Sequence, residues 1–162
     1  MPKKEGAFRL KGEQEDGFKK LMEKFKKNGW IRESNSPWGA RAFVVPKPGC
    51  PVDYRMVVDY RHLNLMTEDD CHPIHNIEDM ILAESQNTLW SIFNLEDGFH
   101  QMHLSSEASP LTSFVAPWGQ LKWMLMPTGI KNGPFMFQRM VTHVLRETKE
   151  SDIYIEDCLT GT

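Results

Sequence analysis

Residues 153–162 read IYIEDCLTGT, with a tyrosine between two isoleucines before two adjacent carboxylates, Glu156 and Asp157, and a short apolar step after them. A carboxylate cannot enter a core without a partner, because the loss of hydration outweighs what packing contributes. Two side by side also repel each other. The pattern predicts two short strands, DIYI and CLTGT, with the acidic pair at the bend between them. There the carboxylates reach water or a hard cation while the strands stay buried. A cation held at such a bend needs a further oxygen donor from another strand. The candidate is the end of TLWSIFNL, where the chain continues Glu96–Asp97–Gly98. TLWSIFNL is apolar at both parities, which predicts a central strand in a sheet covered on both faces.

The remaining segments supply layers for such a sheet. In EQEDGFKKLMEKFKKNGW, Phe18, Leu21, Met22 and Phe25 recur at helical spacing, acidic residues crowd the start and Asn28–Gly29 is a stop. ARAFVV and YRMVVD predict a hairpin across residues 41–59 with a long Pro/Gly loop. Asn76 can cap a short helix through Ile77, Met80 and Ile81. LTSFVA and LKWMLM, joined by PWGQ, predict a second hairpin. Pro134 opens a helix carrying Phe137, Met140, Val141, Val144 and Leu145. Strands and helices alternate without strict order, which favours an α+β fold over a doubly wound sheet.

At 162 residues the chain suits one domain. Its net charge of −3 is uneven: residues 1–32 hold ten Lys/Arg against five Asp/Glu, and the rest hold nine against seventeen. The basic arm reads either as a solvated helix face or as a surface for phosphates. Three scattered cysteines without a CxxC pair, no apolar signal core and no apolar run of membrane-spanning length point to an intracellular setting, cytoplasmic or nuclear. They argue against a secreted or membrane protein. His72 and His75 beside Cys71, and His100 with His103, are spaced like zinc half-sites, but neither pair has a second half at finger spacing.

Six stretches, in order, carry a resemblance: SPWGARAFVVPKPG, YRMVVDYRHLN, HPIHNIEDM, FNLEDGFHQMHL, WGQLKWMLMPTGIKNGPFMFQRMV and YIEDCL. Together they resemble the fingers and palm of the reverse transcriptase of gypsy-type LTR retrotransposons, and more distantly the retroviral enzyme. The resemblance implies a polymerase right-hand fragment without its thumb, with mixed, mainly antiparallel sheets packed with helices. Residues 1–90 would be mainly fingers and a connecting helix, and 89–162 mainly palm. It implies RNA-directed DNA polymerase chemistry in which three aspartates hold two Mg²⁺ ions ~3.5–4 Å apart.

Here the three aspartate positions are Asn94, Glu156 and Asp157, so only one keeps the family residue. Asn94 offers a neutral oxygen, and Glu156 reaches one methylene further than a Mg²⁺ site of strict octahedral geometry accepts. The resemblance also implies nucleotide contacts for Lys47, Arg55, Phe99, Thr128 and Gln138. Thr128 stands where the family has Phe or Gln. Asp59, Arg61 and Asn64 match a motif expected to form a turn network. The implied partners are an RNA/DNA template-primer duplex and dNTP, with impaired or absent polymerase activity. The alternatives are a retained nucleic-acid-binding module, a protein-interaction domain associating through exposed palm surface, and a fragment of a longer active Pol polyprotein.

Overall fold

The computed structural model describes residues 1–74, 76–146 and 151–161, without the side chains of residues 51, 83, 84, 151–153 and 161. His75, one of the zinc candidates, lies outside the described residues. In chain order the elements are α1 (Glu13–Lys27), β1 (Ile31–Glu33), β2 (Ala40–Lys47), β3 (Cys50–Val58), α2 (Arg61–Met66), α3 (Ile77–Glu84), β4 (Trp90–Asn94), β5 (Phe114–Ala116), β6 (Gly119–Trp123), α4 (Gly133–Leu145), β7 (Ser151–Tyr154) and β8 (Asp157–Gly161). The α+β reading holds. The chain forms two compact units, one of Met1–Thr67 with His100–Ile130, the other of Glu68–Phe99 with Lys131–Thr162.

The first unit is built on a five-stranded sheet in the order β1-β6-β5-β2-β3. Its pairs are antiparallel except β2 with β5. Helix α1 lies on this sheet because its apolar stripe buries Phe18, Met22 and Phe25. The approach is close at Gly17, where a Cβ would run into the ring of Tyr54, so a larger residue would push the helix off the strand. Phe18, Ala42 and Phe114 are fully buried at the centre. Two buried hydroxyls are satisfied by backbone carbonyls: Tyr60 Oη donates to that of Thr112 at 2.8 Å and Ser113 Oγ to that of Leu121 at 2.9 Å.

The first hairpin forms, but without the long loop its Pro/Gly content suggested. β2 runs on through Pro46 to Lys47, and only Pro48–Gly49 turn the chain into β3. The register shifts between Pro46 and Lys47, which is how the ladder accommodates a residue with no N–H to donate. Helix α2 follows the expected turn network. Arg61 grips Asp59 with two nitrogens, at 2.8 and 2.6 Å, and Asn64 Nδ2 donates to the Gly129 carbonyl at 2.8 Å.

The second unit holds α3, α4 and a three-stranded antiparallel sheet in the order β4-β8-β7. Asn76 caps α3 as expected, its Oδ1 accepting from Glu78 N at 3.0 Å. One expectation fails. β4 is an edge strand of this sheet, and all five of its residues are exposed. Trp90 is 54%, Ile92 75% and Phe93 48% accessible. Apolar residues at both parities state what a strand could bury, whereas coverage depends on what is laid against it. Among the described residues, neither face of β4 is covered.

Candidate active site

The acidic bend exists, one residue earlier than the sequence suggested. Tyr154 and Asp157 pair across β7 and β8, so the turn consists of Ile155 and Glu156, and Asp157 already belongs to β8. A two-residue hairpin needs a positive φ, and here it falls on Ile155 at φ 56°. That region is disfavoured for a β-branched side chain.

Two hydrogen bonds hold the strained backbone. Ile155 N–H donates to Gln138 Oε1 at 2.7 Å, and the Glu156 carbonyl accepts from Leu95 N–H at 2.8 Å. Gln138, on α4, is 1% exposed, and its Nε2 donates to Thr142 Oγ1 at 3.3 Å.

The two strands bring the expected residues together. Asn94 and Asp157 are direct partners in the β4–β8 ladder, and Asn94 Nδ2 donates to Asp157 Oδ1 at 2.9 Å. Glu156 is half-buried and folds over Gly98. A Cβ at Gly98 would stand 3.0 Å from Glu156 Oε1 and 2.8 Å from Phe137 Cζ, so only glycine leaves room for both. Phe99 stacks on Phe137 with ring centroids 5.2 Å apart. Asn94, Phe99, Gln138, Glu156 and Asp157 thus all lie in the second unit.

This donor set does not match what two hard cations need, which is several oxygens converging on each ion. The amide end of Asn94 that faces Asp157 is its N–H₂ end, already satisfied by the carboxylate. A cation there would require the amide to turn over. Glu156 has its Oε1 against Gly98. No group of three or more His, Cys, Asp or Glu among the described residues is placed to hold a metal ion.

The other implied contacts lie in the first unit. Lys47 pairs with Asp53 at 2.6 Å, and its ammonium holds the Asp53 carboxyl below the usual carboxylate range. Arg55 is exposed and stands opposite Val45 in the β2–β3 ladder. Thr128 is exposed beside Gly129. The Arg61 guanidinium brings Asp59 down to about 2.

Sequence reasoning missed the ties from Gln138 and Leu95 to the bend, and the grip of Arg139 on both oxygens of Asp70 at 2.8 and 3.0 Å. Arg139 lies in one of the six family-like stretches, but its partner lies 69 residues away and carries no local signal. His100, a zinc candidate, stacks on Trp30 at 4.8 Å and lies tilted against Trp123 at 5.1 Å.

The family described as "Reverse transcriptase (RNA-dependent DNA polymerase)" matches residues 45–159. The chain belongs to the reverse transcriptase family. Among relatives it is 35% identical to the retrovirus-related Pol polyprotein of the Drosophila melanogaster transposon opus, over 93% of this chain and 15% of that protein. To the Pol polyprotein of the Drosophila transposon gypsy it is 34% identical, over 82% of this chain and 13% of that protein. A plant-virus protein is similar too, the enzymatic polyprotein of figwort mosaic virus, at 31% identity over 89% of this chain and 22% of that protein. The chain therefore spans less than a quarter of each of these relatives.

The fold matches that of prototype foamy virus protease-reverse transcriptase, with a TM-score of 0.86 and 24% identity over 99% of this chain and 21% of that one. The foamy viral enzyme in complex with an RNA/DNA hybrid gives a TM-score of 0.84 at 22% identity, over 99% of this chain and 21% of that one. The polymerase-fragment fold implied by the six motifs is thus the observed one.

Proposed function

We propose that this is a reverse transcriptase fingers-and-palm piece of retrotransposon origin whose own nucleotidyl transfer is impaired or absent. The observation that carries the reading is the hydrogen bond from Asn94 Nδ2 to Asp157 Oδ1. In the family's chemistry metal ions sit between carboxylates and polarise the reacting oxygens. Here an amide hydrogen bond joins Asn94 to Asp157, two of the residues that would hold a cation. The pair is satisfied without a metal, and one negative charge that would attract Mg²⁺ is gone. Glu156, one methylene longer than aspartate, folds back over Gly98. The proposed partners, in an intracellular setting, are an RNA/DNA template-primer duplex and, if any transfer remains, dNTP. Lys47, Arg55, Phe99, Thr128 and Gln138 are the proposed residues of the nucleotide site.

The test is primer extension with Mg²⁺ and with Mn²⁺, on the chain itself and in a longer Pol context that supplies a thumb. The unmodified chain should incorporate little or no nucleotide in either context, and Asn94→Asp with Glu156→Asp should raise incorporation in the longer one. Clear incorporation by the unmodified sequence would overturn the reading and favour an active segment of a longer Pol.

A second reading is a domain that acts by association. It is favoured by the exposed apolar strand β4 and by the exposed lysines of α1: Lys19, Lys20, Lys24, Lys26 and Lys27. Binding to an RNA/DNA duplex that weakens steeply with salt supports the nucleic-acid form. A dimer by light scattering without duplex binding supports the protein form.

A further inference from the structure

The geometry points to Gln138 as a positioning residue of the acidic bend: its buried carboxamide holds Ile155 in the left-handed region, and so sets the direction of Glu156. It does this through the backbone of the bend. A carboxamide that is 1% exposed must have its polar atoms paired. Its oxygen is 2.7 Å from Ile155 N and its nitrogen 3.3 Å from Thr142 Oγ1, one turn along α4.

Ile155 at φ 56° is the residue that needs a tether, because a β-branched side chain keeps this conformation only when its surroundings over-determine it. Gln138 grips the N–H of that same residue. The next backbone group, the Glu156 carbonyl, is gripped from the other side by Leu95 at the end of β4. The neighbour of Gln138 on α4, Phe137, is fully buried and walls the space over Gly98 into which Glu156 folds. One turn of α4 therefore fixes both the backbone of the bend and the seat of its carboxylate. The latch stands on this geometry alone. Its consequence for chemistry rests on reading the bend as the family's acidic bend.

Amide exchange by NMR on the full chain tests the latch. Gln138→Met keeps the length and removes the acceptor, while Gln138→Glu keeps an acceptor oxygen. Exchange at Ile155 N–H should accelerate at least tenfold in Gln138→Met relative to Val141 N–H on the same helix. It should return toward the parent rate in Gln138→Glu. Unchanged Ile155 exchange in Gln138→Met would overturn the latch.

If Gln138→Met does not fold, Ile155→Gly in the parent background decides. Glycine accepts a positive φ, so a strained, tethered isoleucine predicts a higher Tm, and a lower Tm counts against the proposal. Mn²⁺ broadening of the Glu156 and Asp157 amide signals in Asn94→Asp reads the bend's chemistry separately. Its absence, with Ile155 exchange behaving as expected, leaves the latch standing and removes its role in placing a metal-binding carboxylate.

Discussion

Phe114 in β5 and Phe93 in β4 are both aromatic residues of short strands, yet the first is fully buried and the second 48% exposed. The five-stranded sheet has α1 laid against it, with Phe18, Met22 and Phe25 pointing inward. The three-stranded sheet has β4 at its edge with both faces open among the described residues. Composition does not separate the two strands: both WSIFN and FVA are rich in apolar residues. What separates them is a covering layer. The hydrophobic term is proportional to area removed from water, so similar side chains contribute fully in β5 and little in β4.

Four substitutions would break or sharpen this contrast. The largest effect should come from Phe114→Ala, which leaves a cavity where a fully buried ring stood. It should cost about 3–5 kcal/mol in urea denaturation followed by tryptophan fluorescence. A value near that of an exposed site would mean that the first core is not packed as described.

Next is Gly98→Ala. The new methyl would meet Phe137 Cζ at 2.8 Å and displace Glu156, for a loss of about 1–3 kcal/mol, with no comparable loss in Gly6→Ala, where nothing lies within 4 Å. Equal stabilities for the two variants would show that Glu156 does not fold over Gly98.

Asn94→Asp sets two carboxylates directly opposite each other on β4 and β8. It should cost about 0.2–1 kcal/mol without divalent ions. Added Mg²⁺ or Mn²⁺ should recover that loss in the variant and leave the parent's Tm unmoved. A parent that is stabilised as much as the variant would sink the idea that Asn94 has replaced a metal bridge.

The smallest effect belongs to Asp59→Asn, an ion pair with an exposed arginine, at about 0–1 kcal/mol. The sign with pH is fixed. Asp59 titrates near 2 when folded, against an ordinary 3.8, so its contribution is full above about pH 4 and fades as pH falls through 2. Parent and variant should therefore converge in Tm at low pH. A gap that persists at pH 2 would point to packing and not to charge.

Much of the candidate site was legible in the amino-acid sequence. The acidic pair stands at a hairpin because adjacent carboxylates tolerate few other places, and the resemblance of FNLEDGFHQMHL to the family motif implied Asn94 as a partner. Register did the rest, placing Asn94 opposite Asp157. The position of the bend to the residue was not legible. Moving the turn to Ile155–Glu156 requires a positive φ at isoleucine, which local preference argues against and which tethers from Gln138 and Leu95 make possible. The pairing of Arg139 with Asp70 was equally out of reach, since ion pairs between distant segments leave no periodic trace.

By itself the sequence determined most of the elements, their order and the family, though not the short strand β1 or helix α2, because periodicity, turn residues and motif spacing are local and survive in one dimension. Only the tertiary structure decided that β4 lies open at a sheet edge, that the Asn94 amide faces Asp157, and that Gln138 is spent on the bend. Each of these depends on which surfaces and polar groups meet across tens of residues, and desolvation and hydrogen-bond satisfaction settle that only once the chain has folded.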